Sequence, residues 1–131
     1  MIKKFFSKLF NSTTSNEIIV SEDDYWITTR KLENSKYCSV SEDEEVFIRN
    51  LILKSKLSNK KYYFVLERKS NKAITVFYKG VYVGRFKLQG RKTWMQILLN
   101  LDSIRVLENE ELDTYINSID LWIDYINRVR A

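Results

Sequence analysis

Apolar positions recur every three to four residues over two long stretches of the chain and thicken into strand-like runs between them. In the first stretch Val46, Phe47, Ile48, Leu51, Ile52 and Leu57 share a broad face, which predicts a helix over 41–57. Ser41 with Glu44 three residues on forms a capping box. The acids after it and Lys54 and Lys56 near the far end each suit the helix dipole. In the second stretch Leu112, Tyr115, Ile116, Ile119, Trp122, Ile123, Ile126 and Val129 form one stripe, which predicts a helix over 109–130. Asn109 is its expected cap, with Glu110 and Glu111 in the first turn and Arg128 and Arg130 in the last.

Between them, residues 61–98 read as a four-stranded antiparallel meander. Lys61–Lys69, Ala73–Tyr78, Val81–Gln89 and Thr93–Leu98 are rich in β-branched and aromatic residues. Ser70-Asn71-Lys72, Lys79-Gly80 and Gly90-Arg91-Lys92 supply the turns. The run Trp94–Leu99 also fits a helix. Residues 17–40 carry two readings. Ser21-Glu22-Asp23-Asp24 starts a helix that buries Tyr25, Trp26 and Ile27, whereas Thr28 and Thr29 favour an extended segment. Residues 1–10 place Phe5, Phe6, Leu9 and Phe10 at helical spacing among Lys3, Lys4 and Lys8. This predicts a short amphipathic helix that must dock on its own domain, a partner, a second copy or a membrane surface. Residues 11–16 are a polar tether. The expected architecture is a single α+β domain over 17–131, a small sheet covered by two helices, preceded by the segment 1–16.

Composition narrows the chemistry. The 131 residues suit one domain, with no His, no Pro and a single Cys, Cys38. Mechanisms that need His as base and His-ligated metal centres are therefore excluded, and one Cys makes neither an internal disulfide nor a thiolate metal site. Cys38 alone suits a reducing compartment. No apolar run is long enough to span a bilayer, and Lys8 interrupts the only stretch resembling a signal peptide, so the expectation is a cytoplasmic protein. No glycine-rich phosphate loop is present, and no cofactor or metal is implied.

Charge changes the picture most. Residues 51–95 hold twelve cations against one acid, Glu67, for a net +11 within a chain of net +5. Residues 17–50 and 96–131 are acidic. Either an exposed basic patch attracts a polyanion, or acidic helices neutralise a basic sheet; both readings stand. In a meander the turns 69–72 and 89–92 lie at one end of the sheet. That end gathers Arg68, Lys69, Lys72, Arg91 and Lys92. Strand alternation sends Arg85 and Lys87 to one face, and Tyr82, Phe86 and Leu88 to the other. Arg68, Lys69, Lys72, Arg85, Lys87, Arg91 and Lys92 form the candidate contact surface, with Phe5, Phe6, Leu9 and Phe10 as candidate docking residues.

The resulting expectation is a small non-enzymatic protein that occupies its partner stoichiometrically. The partner is nucleic acid or an acidic protein surface, such as a nucleic-acid-handling enzyme blocked by a phage-type inhibitor. Homo-oligomerisation through residues 1–10 is a further reading. An enzymatic alternative rests on Glu67-Arg68-Lys69, the E-x-K arrangement of metal-dependent nucleases, with Glu67 and Lys69 as the working pair. It lacks a second strand-borne carboxylate to hold Mg²⁺.

Overall fold

The computed structural model describes residues 20–33, 35–58, 64–100 and 102–130. The predicted N-terminal helix with Phe5, Phe6, Leu9 and Phe10 lies outside the described residues, as do Lys60 and Lys61. Two serines start the first two helices. The Ser21 hydroxyl accepts from the Asp24 amide at 3.1 Å, opening α1 (Glu22–Glu33). The Ser41 hydroxyl accepts from the Glu44 amide at 3.2 Å while Glu44 Oε1 accepts from the Ser41 amide at 3.0 Å, opening α2 (Glu42–Leu57). This is the predicted capping box, and α2 stands where the pattern put it. The helix of 21–33 forms despite its two threonines. Of the three residues expected to be buried, only Tyr25 packs against the core. Trp26 and Ile27 are 51% and 50% exposed, because they fall on the solvent side of α1. Thr28 and Thr29 are buried, and the Thr29 hydroxyl donates to the Tyr25 carbonyl at 2.8 Å. Packing outweighs the small helix penalty of β-branching.

The sheet is antiparallel throughout, in the order β1 (Phe64–Arg68), β2 (Ile74–Tyr78), β3 (Val81–Lys87), β4 (Trp94–Leu98) and β5 (Ile104–Glu108). The meander therefore has five strands rather than four. Strand β5 hides in the pattern because it is an edge strand, mostly exposed on both faces, with no apolar alternation to betray it. Strands β1 to β4 and the Lys79-Gly80 hairpin match expectation. Gly80 takes φ +81, and its neighbour Lys79 φ +50.

The helices cover one face of this sheet. Phe47 of α2 packs on Phe86 of β3 with ring centroids 4.3 Å apart, and on Trp122 at 5.7 Å. Leu66, Val76, Met95 and Ile97 from β1, β2 and β4 complete this layer, with Leu32 of α1 buried in the same core. The C-terminal stripe is buried as expected, through Tyr115, Ile119, Trp122, Ile123 and Ile126. Its helix starts later than predicted and is broken. Asn109 has φ +54, not the extended backbone of an N-cap, and its amide donates to the Thr93 carbonyl instead. The run divides into α3 (Leu112–Asn117) and α4 (Ile119–Arg130) at Ser118, whose hydroxyl donates back to the Thr114 carbonyl at 2.8 Å. No helix among the described residues is long and apolar enough to cross a membrane.

Candidate functional site

The face of the sheet turned away from the helices carries the chemistry. Register lines up Glu67, Thr75, Arg85, Gln96 and Val106 across all five strands, and Lys87, Trp94 and Glu108 across the last three. Arg85 and Lys87 thus stand on the outer face, as their alternation predicts. Tyr82 does not keep to its predicted side. Between β2 and β3 the register shifts, so that Val76 faces Gly84 but Phe77 faces Tyr82. The extra residue, Val83, turns into the core, and everything before it on β3 changes face. Tyr82 therefore joins Arg85 on the outer face. Its hydroxyl donates to Gln96 Oε1, and the Arg85 guanidinium lies 5.9 Å from its ring centre. Phe77 meets the same ring edge-on at 6.2 Å. Burial raises the Tyr82 pKa above the ordinary tyrosine value, and the nearby Arg85 charge opposes that rise.

The predicted contact residues separate into groups. Arg68 is withdrawn from any surface, because its side chain is only 1% exposed. Its Nη1 donates to Glu44 Oε2 at 2.7 Å and its Nη2 to Glu44 Oε1 at 3.0 Å. Two backbone carbonyls, of Lys72 and Ser39, accept from the same guanidinium. The Glu44 carboxylate also takes the Gln89 amide at 2.8 Å and the Ser41 backbone N–H. The cap of α2, the end of β1 and the turn after β3 are thereby tied together. Lys69 and Lys31 each reach Glu67 at 3.5 Å. Lys54 pairs with Asp120 at 3.1 Å and Lys56 with Asp24 at 2.6 Å.

The described cations of the basic block therefore divide into two sets, those paired with acids and those without an ion pair. The acidic helices neutralise its helix-facing cations. Among the described residues, Lys72, Arg85, Lys87, Arg91 and Lys92 make no ion pair. Lys72, Arg91 and Lys92 are exposed in the two turns at one end of the sheet. Lys87 reaches toward that end, with its Nζ 3.3 Å from where a Cβ on Gly90 would stand. Arg85 spends Nε on the Thr75 hydroxyl at 3.2 Å, which leaves the donors of its two terminal nitrogens for other acceptors. The same end also carries acids, with Glu42 and Asp43 beside Leu88 and Gly90 in a groove of about 440 Å³.

Glu67 and Lys69, the pair of the nuclease reading, bond each other, and no cluster of three His, Cys, Asp or Glu side chains able to hold a metal exists among the described residues. Cys38 is a free thiol. Compared with known proteins, the chain matches no family model, no curated protein and no solved structure. Sequence reasoning missed Trp94 and Gln96 as site residues, although the alternation of β4 carried the signal: Met95 and Ile97 are buried, so Trp94 and Gln96 face out.

Proposed function

We propose that this protein is a non-enzymatic binding protein that holds nucleic acid by its phosphates. The observation that carries this reading is the set of five unpaired cations, Lys72, Arg85, Lys87, Arg91 and Lys92, beside a block whose other described cations are mostly paired with acids. Arg and Lys make charge-assisted bonds to phosphate oxygens, and such contacts need no particular base. Binding of labelled DNA and RNA, followed by fluorescence anisotropy, tests it. Neutralising five phosphates weakens binding about a hundredfold between 50 and 200 mM salt. Replacing Arg91 and Lys92 together by Ala lowers the slope against salt by roughly one to two units. No binding at the lower salt overturns the proposal.

A protein partner is favoured by a separate observation. Edge strand β5 leaves Ile104 57% and Val106 46% exposed. Its outer rim has no hydrogen-bonded neighbour among the described strands. Such an edge accepts a strand from another chain. A concentration-dependent dimer in light scattering that Val106→Lys abolishes supports this reading, and a monomer at all concentrations counts against self-association.

A further inference from the structure

The outer sheet face offers more than phosphate contacts. Its cations sit among aromatic rings: Trp94 is the direct cross-strand neighbour of Lys87, and Tyr82 lies beneath Arg85 and against Phe77. We infer that this face binds single-stranded nucleic acid, with bases stacked on Trp94 and on the Tyr82–Phe77 pair and the backbone held along β3. The inference rests on the phosphate-binding reading and names the form of the ligand.

Three features carry it. The first is spacing. Lys87, which pairs with Trp94, and Tyr82 are five residues apart on β3 with Val83 bulged between them, so the two ring stations stand about 13 Å apart at the rise of a strand. That distance accommodates two to three extended nucleotides, with Arg85 and Gln96 between the two ring stations. Gln96 there offers a side-chain amide for a base edge, held in place by the Tyr82 hydroxyl. The second is the narrowness of the cationic track. On the outer face the cations stand on β3 alone, while β5 carries Glu108 and the apolar Ile104 and Val106. A duplex laid across the sheet brings phosphates against Glu108, whereas a single strand is narrow enough to run along β3 past Arg85 and Lys87 toward the Arg91–Lys92 turn. The third is presentation. A duplex keeps its base faces inside the stack, so partly exposed rings on an open sheet are useful only to unpaired bases.

The test compares a labelled oligo-dT strand with a duplex of the same length, using the full chain. The expected result is tighter binding of the single strand. Trp94→Leu should weaken single-strand binding about fivefold or more while leaving the salt slope unchanged. Tyr82→Phe keeps the ring and should retain most of the affinity, whereas Tyr82→Leu should not. Should Trp94→Leu fail to fold, tryptophan emission gives a second reading. Trp122 is fully buried, but Trp26 is 51% exposed on α1, so the measurement is made in a Trp26→Phe background, where quenching on binding should come from Trp94 and disappear in Trp94→Phe. Equal affinity for the two forms, or no loss of single-strand affinity in Trp94→Leu and Tyr82→Leu, overturns stacking and leaves phosphate binding standing. Absence of binding to either form at low salt overturns both.

Discussion

Arg68 and Glu44 form a two-pronged ion pair sealed from solvent, with side chains 1% and 0% exposed. The pair closes the sheet end against the first turn of α2, so a cation at the edge of the basic block is a structural pin. Breaking it from one side strands a buried charge. Arg68→Ala is expected to lose about 3–5 kcal/mol of stability, read as a shifted midpoint in urea unfolding. Arg68→Met combined with Glu44→Leu should lose less than the sum of the two single changes, because no lone charge is left behind. It should not recover fully, since Glu44 also serves Ser41 and Gln89.

Gly84 is required by Trp122. The indole Nε1 donates to the Gln96 carbonyl at 2.9 Å, and to do so the ring crosses β3 where a Cβ on Gly84 would stand 2.5 Å from that nitrogen and 2.6 Å from the carbonyl oxygen. Neither neighbour is a flexible chain end. Gly84→Ala is therefore expected to destabilise by about 1–3 kcal/mol, as overpacking does, and to raise the exposure of Trp122 in acrylamide quenching. Gly80→Ala meets no atom within 4 Å and strains only its own φ of +81. Its expected loss is about 1 kcal/mol, with Trp122 unaffected. A larger effect at Gly80 than at Gly84 would contradict this account.

What the sequence revealed follows from how local each signal is. The α2 capping box is written in four consecutive residues, and the Lys79-Gly80 turn in two. The positions of α2 and of the β2–β3 hairpin were legible for that reason. Asn109 misled because a cap and a left-handed turn favour the same residue type. Strand β5 has too little buried surface to impose alternation. At the candidate site, Arg85 and Lys87 were legible from parity. Tyr82 was not, because the bulge at Val83 arises from pairing with β2 and leaves no mark within β3 itself. Nor did the local pattern show that Arg68 is buried. Its partner Glu44 lies 24 residues away, and the carboxylate was already accounted for by the cap.

The two serine caps differ in a measurable way. At α2 the capping is reciprocal, and the N3 carboxylate is itself held by Arg68. At α1 the Ser21 hydroxyl takes the Asp24 amide alone, and Asp24 turns to Lys56 instead. Ser41→Ala is expected to lose about 1–2 kcal/mol and Ser21→Ala about 0.5–1 kcal/mol. Hydrogen exchange distinguishes them further. Loss of the Ser41 hydroxyl should speed exchange at the Glu44 amide, and loss of Ser21 should act only at the start of α1.

Tyr82 supplies a pH signature for the outer face. Burial disfavours its phenolate and raises its pKa, with the Arg85 charge acting in the opposite sense. The folded state thus holds the Tyr82 proton more tightly than the unfolded chain, in which tyrosine titrates near pH 10. The stabilisation is fully present below that pH and is lost as pH rises through the folded pKa, because the unfolded chain ionises first. Tyrosinate absorbance should show a late-titrating component that is lost in Tyr82→Phe. Arg85→Ala removes the opposing charge, so the same component should titrate later still. An earlier titration in Arg85→Ala would show that Arg85 does not sit against this ring. Single-stranded nucleic acid bound over the face should delay the titration further, by adding phosphate charge and excluding water, while a duplex should leave it where it is.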